Sequence, residues 1–517
     1  MRASPAILFS RYFVPAGLLA SAIANGASFF LRRIGVIDSA RYQADLSTFC
    51  RLPVRSWWLP ASCHYRRVLS EQPLQVISFD PQRLYQLTAP ELLLKFAKFG
   101  FIAGLISLSI LLILKHRAPF PSLYQLLPAL PFLGSLLLAF VIGFHHASAP
   151  LAILGLLSWP SLPMLLLGGW LSSAAQLSRL ADAIGLLLFL QFPLGLVEAM
   201  RGLPTPFGPM IDTLRIPNPF LPSRLAFLFT LPNTLGVFVA VAFSFCLAFS
   251  SRRRLLPWLA VVILPQIFLA RSATGFLVLL SVLAFIVLQR LLEISSRALL
   301  SSLIPPVVAV FGLVLALLPQ LLARPDLWQS LDGRFWAFNH IVRTSSPSQL
   351  WFGHGLSSSG NHLSQIVAGR YPLQPLFDQW LSYPQLYPAD SLLALLLSQG
   401  GLVAVMSFYA LLLWAFQHAP QARPFFLAVL LSSFTMGITE VFPLGLLLAL
   451  AVNHALLNPT LGRSPLPLCR PCAVHGRSAV GMIESSAAVG SDFRLHYPFH
   501  RKASQFANNA ASGPAGA

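Results

Sequence analysis

The sequence predicts an all-α fold: a polytopic integral membrane protein with about 11 to 12 transmembrane helices and a large outward loop. Three observations predict it. Hydrophobic residues fill 56% of the 517 positions and charged residues only 10%, too few to coat a water-facing globule of this size. Apolar stretches near or above the roughly 20 residues that cross a bilayer core recur along most of the chain. The Lys and Arg residues stand at the ends of these stretches and gather in every second connection, as short cytoplasmic loops require.

Taken in order, the first apolar stretch, near 7–31, contains Arg11 with several Gly and Ala residues. It reads as a membrane helix, an uncleaved signal-like anchor or an interfacial helix. A polar stretch completes an N-terminal segment, 1–95. Spans are then expected near 97–114, 123–144, 151–170, 180–198, 232–250, 255–270, 275–292, 302–320, 391–416, 424–439 and 442–457, within a helical domain covering 96–457. Alternation puts Lys115 and Arg117, Arg179, Arg252 to Arg254, Arg290 with Arg297, and Arg423 on one side, which the charge rule makes cytoplasmic. Connections 199–231 and 321–390 then face outward. The basic tail, 458–517, falls inside, and its Ser, Ala, Pro and Gly content predicts disorder.

These features exclude some functions. The net charge of +19 comes mostly from Arg spread over helix ends and the tail, with no basic soluble face for nucleic acid. Of the five Cys residues, Cys469 and Cys472 form a lone CxxC without a second ligand pair, so no metal centre is expected. The central spans show no obvious buried charge, which counts against a transporter.

An outward Arg opposes the charge bias and so calls for an explanation. Arg271 ends one apolar run and is separated from the next by three residues. Arg224 precedes Pro232-Asn233, Arg215 shares its loop, and Arg334 opens the large loop in Asp332-Gly333-Arg334. Each could be a snorkelling anchor; several converging would suit a phosphate, whose oxygens a guanidinium fork matches. Within the large loop, His354 lies between Gly353 and Gly355 and reads as a base, a ligand or a turn histidine. Asp390, just before Ser391 and a long apolar run, reads as a helix cap or a general base.

In their order, these motifs resemble the O-antigen ligase and polymerase superfamily, the Wzy-type group, over roughly residues 180 to 455. The motifs are Pro232-Asn233 opening a helix, Arg271-Ser272-x-Thr274-Gly275, Gly333-Arg334, Gly353-His354-Gly355, and a polar pair before a Gly-containing helix. Ligases of the group carry His, then Asn, Ser or Gln, nine residues and Gly-x-x-Gly. Here Asp390-Ser391 precede nine residues and Gly401-Leu402-Val403-Ala404, so the spacing is kept with Asp in place of His. That change points to the polymerase branch.

The resemblance implies an inverting glycosyl transfer at the periplasmic face of a bacterial inner membrane, without metal or cofactor. Undecaprenyl-pyrophosphate-linked glycan would be the substrate, with membrane lipid, a flippase and a chain-length regulator as partners. It also implies Arg271, Arg334 and Arg224 at the pyrophosphate, Asp390 as base and His354 as reserve base. A ligase is the alternative within the group. A lipid-linked saccharide transporter and a structural assembly factor are the alternatives outside it.

Overall fold

The computed structural model describes residues 12–33, 89–115, 120–146, 149–201, 225–229, 232–270, 272–293, 338, 341–360 and 391–458. Among the described residues the regular secondary structure is helical, with no strand. The expected span near 302–320, most of both outward connections and the tail lie outside the described residues.

The elements follow the apolar runs. They are α1 (Val14–Arg33), α2 (Ala89–Leu114), α3 (Leu123–Leu126), α4 (Leu130–His146), α5 (Ala149–Gly155), α6 (Met164–Leu167) and α7 (Ala174–Arg201). Next come α8 (Pro232–Phe249), α9 (Leu256–Ala270), α10 (Ala273–Glu293), α11 (Pro347–Phe352), α12 (Leu392–His418), α13 (Arg423–Ser433) and α14 (Leu444–Leu457). Among the described residues four helices, Leu93–Leu114, Ala174–Glu198, Arg253–Ala270 and Leu392–His418, are long and apolar enough to cross a membrane.

Four of the expected spans are not continuous helices. The run 123–144 divides into α3 and α4, with a turn at 127–129 that includes Pro128. The run 151–170 breaks into α5, a 3-10 turn, α6 and a second 3-10 turn, because Pro160, Pro163, Gly168 and Gly169 interrupt it. The run 424–439 yields only the 11 residues of α13, after which the chain turns through Gly437 to a 3-10 turn at Ile438–Glu440. Helix α12 contains Gly401 at φ 68° and ψ −167°, a region that essentially only glycine occupies, so it consists of two helices meeting at a break.

Helix α8 is the centre of the bundle. It packs against α7, α9, α10 and α13, and every residue from Leu235 to Cys246 is buried. A helix apolar on all faces must be enclosed or face lipid, and α8 is enclosed. Other helices keep an apolar face outward: Leu137, Val141 and Phe144 on α4, and Trp258, Val261, Leu264 and Phe268 on α9, are exposed. Contiguous exposure on this scale is foreign to a soluble monomer and natural against acyl chains.

The successive helices α7, α8, α9 and α10 alternate in direction, which gives this part of the bundle two distinct ends. At one end the start of α7 meets the end of α8: the Ser250 hydroxyl donates to Asp182 at 2.7 Å, and Arg252 lies 3.5 Å from the same carboxylate. At the other end Leu225 N donates to Leu269 O at 3.2 Å, and Ser272 sits against Gly236.

Candidate functional site

Two clusters carry the residue patterns singled out above. The first forms where α7, α8 and α9 meet segment 225–229. Near the end of α7, Glu198 is buried and its carboxylate accepts the N–H groups of Phe227 at 2.7 Å and Ala226 at 3.4 Å. Two amide donors satisfy a charge that would otherwise be costly to desolvate. Phe227 has φ +49°, unusual for a bulky side chain, and its ring fills the notch above Gly195, where any side chain would collide with it.

The same segment is held from two further sides. Gly26 of α1 lets the Leu228 carbonyl approach, and Leu225 bonds Leu269. Helices α8 and α10 then cross at glycine-sized separation: a Cβ on Gly275 would stand 2.4 Å from the Gly236 carbonyl carbon, and one on Gly236 would stand 2.1 Å from the Ser272 Cβ. Close crossings of small residues are a mark of helix pairs in lipid. Ser272 also caps α10, its hydroxyl accepting the Gly275 amide at 3.2 Å. Arg224 and Arg271 adjoin this cluster in sequence and lie outside the described residues.

The second cluster closes the break in α12. Interrupting a helix frees carbonyls that lipid cannot satisfy. The glycine loop after α11 supplies the missing donors: His354 N donates to Ser398 O at 2.7 Å and Gly355 N to Gln399 O at 3.1 Å. The Ser358 hydroxyl adds a third bond, to Ser398 O at 3.0 Å. The loop reaches α4 through Leu356 N and Ala139 O, 3.0 Å apart. Glycine is required here for space as well as for φ: a Cβ on Gly353 would lie 2.3 Å from Gln399 O, and one on Gly355 2.5 Å from the Gly143 backbone.

His354 is therefore a packed residue, 2% exposed, with Nε2 at 2.8 Å from the Ser345 hydroxyl. That hydroxyl donates its own proton to Ile341 O, which leaves its oxygen free to accept from Nε2. Of the five expected site residues, His354 alone is described. Arg224, Arg271, Arg334 and Asp390 lie outside the described residues, as does Arg215.

Beside the loop lies a polar group that the sequence reading missed. Ser158 donates to Glu440 at 2.7 Å, and a Cβ on Gly360 would meet both side chains, at 2.6 and 3.0 Å. Gln399 accepts from the Trp159 indole at 2.7 Å and donates to Ser359 O at 2.6 Å. Lys98 of α2 and Glu440 are both buried and attract one another electrostatically. Buried charge does occur at the margins of the expected spans, since Lys95, Lys98, Glu198 and Glu440 are all buried, while no buried charge lies in the middle of a span among the described residues. Their signal was present as isolated charges at the margins of apolar runs, but nothing local identifies the partners. Among the described residues no three His, Cys, Asp or Glu side chains group as metal ligands would.

Compared with protein families, characterised proteins and solved structures, the chain matches none.

Proposed function

We propose that the protein is a polytopic membrane glycan polymerase that uses lipid-linked substrates at the periplasmic face of a bacterial inner membrane. The growing glycan on undecaprenyl pyrophosphate is the donor, and a hydroxyl of a second lipid-linked repeat unit is the acceptor. The hydroxyl oxygen bonds to the anomeric carbon as the bond to pyrophosphate breaks, inverting that carbon. The hydroxyl proton passes to Asp390, and the bonding pair leaves with the pyrophosphate. Charge grows on the leaving group in the transition state, so Arg271 and Arg334, with Arg224 as a third, act where a fixed cation lowers the barrier most. His354 serves mainly to hold its loop and is the reserve base.

One observation carries this reading: motifs distant in sequence are neighbours in pairs. The Pro232-Asn233 helix meets the Ser272-x-Thr274-Gly275 helix at Gly236, and the Gly353-His354-Gly355 loop seals the helix that follows Asp390-Ser391. Leu225 and Leu269, bonded to each other, adjoin Arg224 and closely precede Arg271 in sequence, which supports a shared phosphate role.

A transporter of lipid-linked saccharide is the second reading. The broken helix α12 and the buried Lys98 and Glu440 favour it, because transporters use both. The deciding experiment reconstitutes the purified chain in proteoliposomes with a polyprenyl-pyrophosphate-linked oligosaccharide. A polymerase releases polyprenyl pyrophosphate and a lengthened glycan, and Arg271→Ala and Arg334→Ala each slow that release at least tenfold. Intact donor crossing the bilayer with no bond cleaved refutes the polymerase. In a deletion strain, single-repeat capping of surface glycan separates it from a ligase, whose loss leaves full polymer on the carrier.

A further inference from the structure

At the end of the bundle away from both clusters, a cavity of about 460 Å³ opens between α1, α7, α8 and α9. Its walls are of two kinds. Ala16 and Leu19 of α1, Leu186 and Phe189 of α7, and Leu256 and Leu259 of α9 make it apolar in depth. Arg179 and Arg252 stand among its polar lining residues with Asp182 and Ser250, and Arg253 and Arg254 continue the basic run beside it.

Asp182 is the one acidic side chain among the described lining residues, and it is occupied: Ser250 donates to it and Arg252 pairs with it. Two guanidiniums against one carboxylate leave the pocket with a net positive charge. Arg179 is tied only to a neutral partner, Gln176, at 3.2 Å. Its guanidinium stands in a half-buried position, where screening is weaker than in bulk water.

We infer that this cavity is a binding site for an anionic phospholipid, with the phosphate on the Arg179 and Arg252 side and an acyl chain along the α1, α7 and α9 wall. The charge selects an anion, and the apolar depth selects one with a hydrocarbon tail over free phosphate. Basic pockets between membrane helices hold lipid headgroups in this way, and a guanidinium matches phosphate oxygens in pairs. The volume is in the range of sites that enclose a ligand segment. The inference does not depend on the polymerase reading.

The test uses the full chain in zwitterionic detergent at 0.15 M salt, with native mass spectrometry scoring bound lipid. Phosphatidylglycerol should bind at least tenfold more tightly than phosphatidylcholine of the same chains, and millimolar inorganic phosphate should not displace it. Arg179→Gln should weaken phosphatidylglycerol about fivefold, near the effect of one basic residue at a lipid surface. Gly185→Leu should weaken both lipids at least tenfold by filling the cavity, since the nearest atoms to a Cβ there are 3.9 Å and 4.0 Å away. Leucine favours a helix more than glycine, so α7 should tolerate the change. Arg254→Gln, outside the cavity lining, should bind as the parent does.

Equal binding of the two lipids overturns the inference, as does displacement by phosphate. It is also overturned if Arg179→Gln leaves phosphatidylglycerol binding unchanged, or if Arg254→Gln weakens it as much. If Gly185→Leu fails to fold, Arg179→Gln decides the matter alone.

Discussion

Replacing Gly401 by alanine tests whether the break in α12 is a built feature on which the loop depends. The residue has φ 68° and ψ −167°, where an L side chain costs about 1 to 3 kcal/mol in backbone strain. The new Cβ would also stand 2.3 Å from the Trp351 carbonyl oxygen and 2.5 Å from Phe352 N. Both are main-chain atoms, so no rotamer change relieves the contact, and segment 351–356 must move. Movement strains the bonds from His354 N to Ser398 O and from Gly355 N to Gln399 O, each worth about 1 kcal/mol. The expected loss is therefore about 3 to 5 kcal/mol.

The assay is chemical unfolding in mixed micelles, followed by tryptophan fluorescence, with Gly100→Ala as reference. Gly100 is a helical position in α2 with nothing within 4 Å of a built Cβ, so alanine there should be neutral or stabilising by up to about 1 kcal/mol. Identical unfolding midpoints for Gly401→Ala and Gly100→Ala would refute the argument, since they would mean that α12 can straighten without disturbing the loop.

Three further outcomes are expected. Removing one of the two buried, mutually attracting charges, by Lys98→Met or by Glu440→Gln, should lower stability, and the double variant should lose less than the sum of the two; strict additivity in the same unfolding cycle would show that the two do not interact. Gly275→Ala should force α8 and α10 apart and lower stability by about 1 to 3 kcal/mol, the usual cost of overpacking, whereas Gly104→Ala, with open space around its Cβ, should not. Asp390→Asn, at normal protein level, should abolish polymer lengthening while keeping the shape and much of the capping capacity of the side chain; near-normal polymer length in that strain reduces Asp390 to a cap and passes the role of base to His354.

Composition and apolar run length made the helices legible, because crossing a bilayer or filling the interior of a bundle both demand apolar residues over many turns. Breaks were less legible. A hydropathy window sums side chains and is blind to φ, so 391–416 reads as one span although Gly401 divides it. In 151–170, Pro160, Pro163, Gly168 and Gly169 were visible, yet their apolar neighbours hid the interruption. The sites divide in the same way. His354 stood out because Gly flanks it on both sides, but its backbone partner Ser398 is 44 positions away and bonds through a carbonyl that every residue has. The pairing of Ser158 with Glu440, 282 positions apart, has no local signature. Such pairings depend on which helices meet, and that is decided by packing across the whole bundle.

The enclosure of α8 also bears on how the chain is made. Membrane helices are inserted one after another and associate only afterwards. On the polytopic reading proposed above, α8 enters the bilayer after α1 and α7 but before α9, α10 and α13 exist, so most of its surface first meets acyl chains. Its apolarity on every face is therefore needed for insertion, even though the finished bundle keeps residues 235–246 away from lipid. A polar substitution on α8 whose hydrogen bonds are satisfied in the folded bundle would still burden biogenesis. Such a variant would accumulate poorly in cells and, once purified, unfold like the parent.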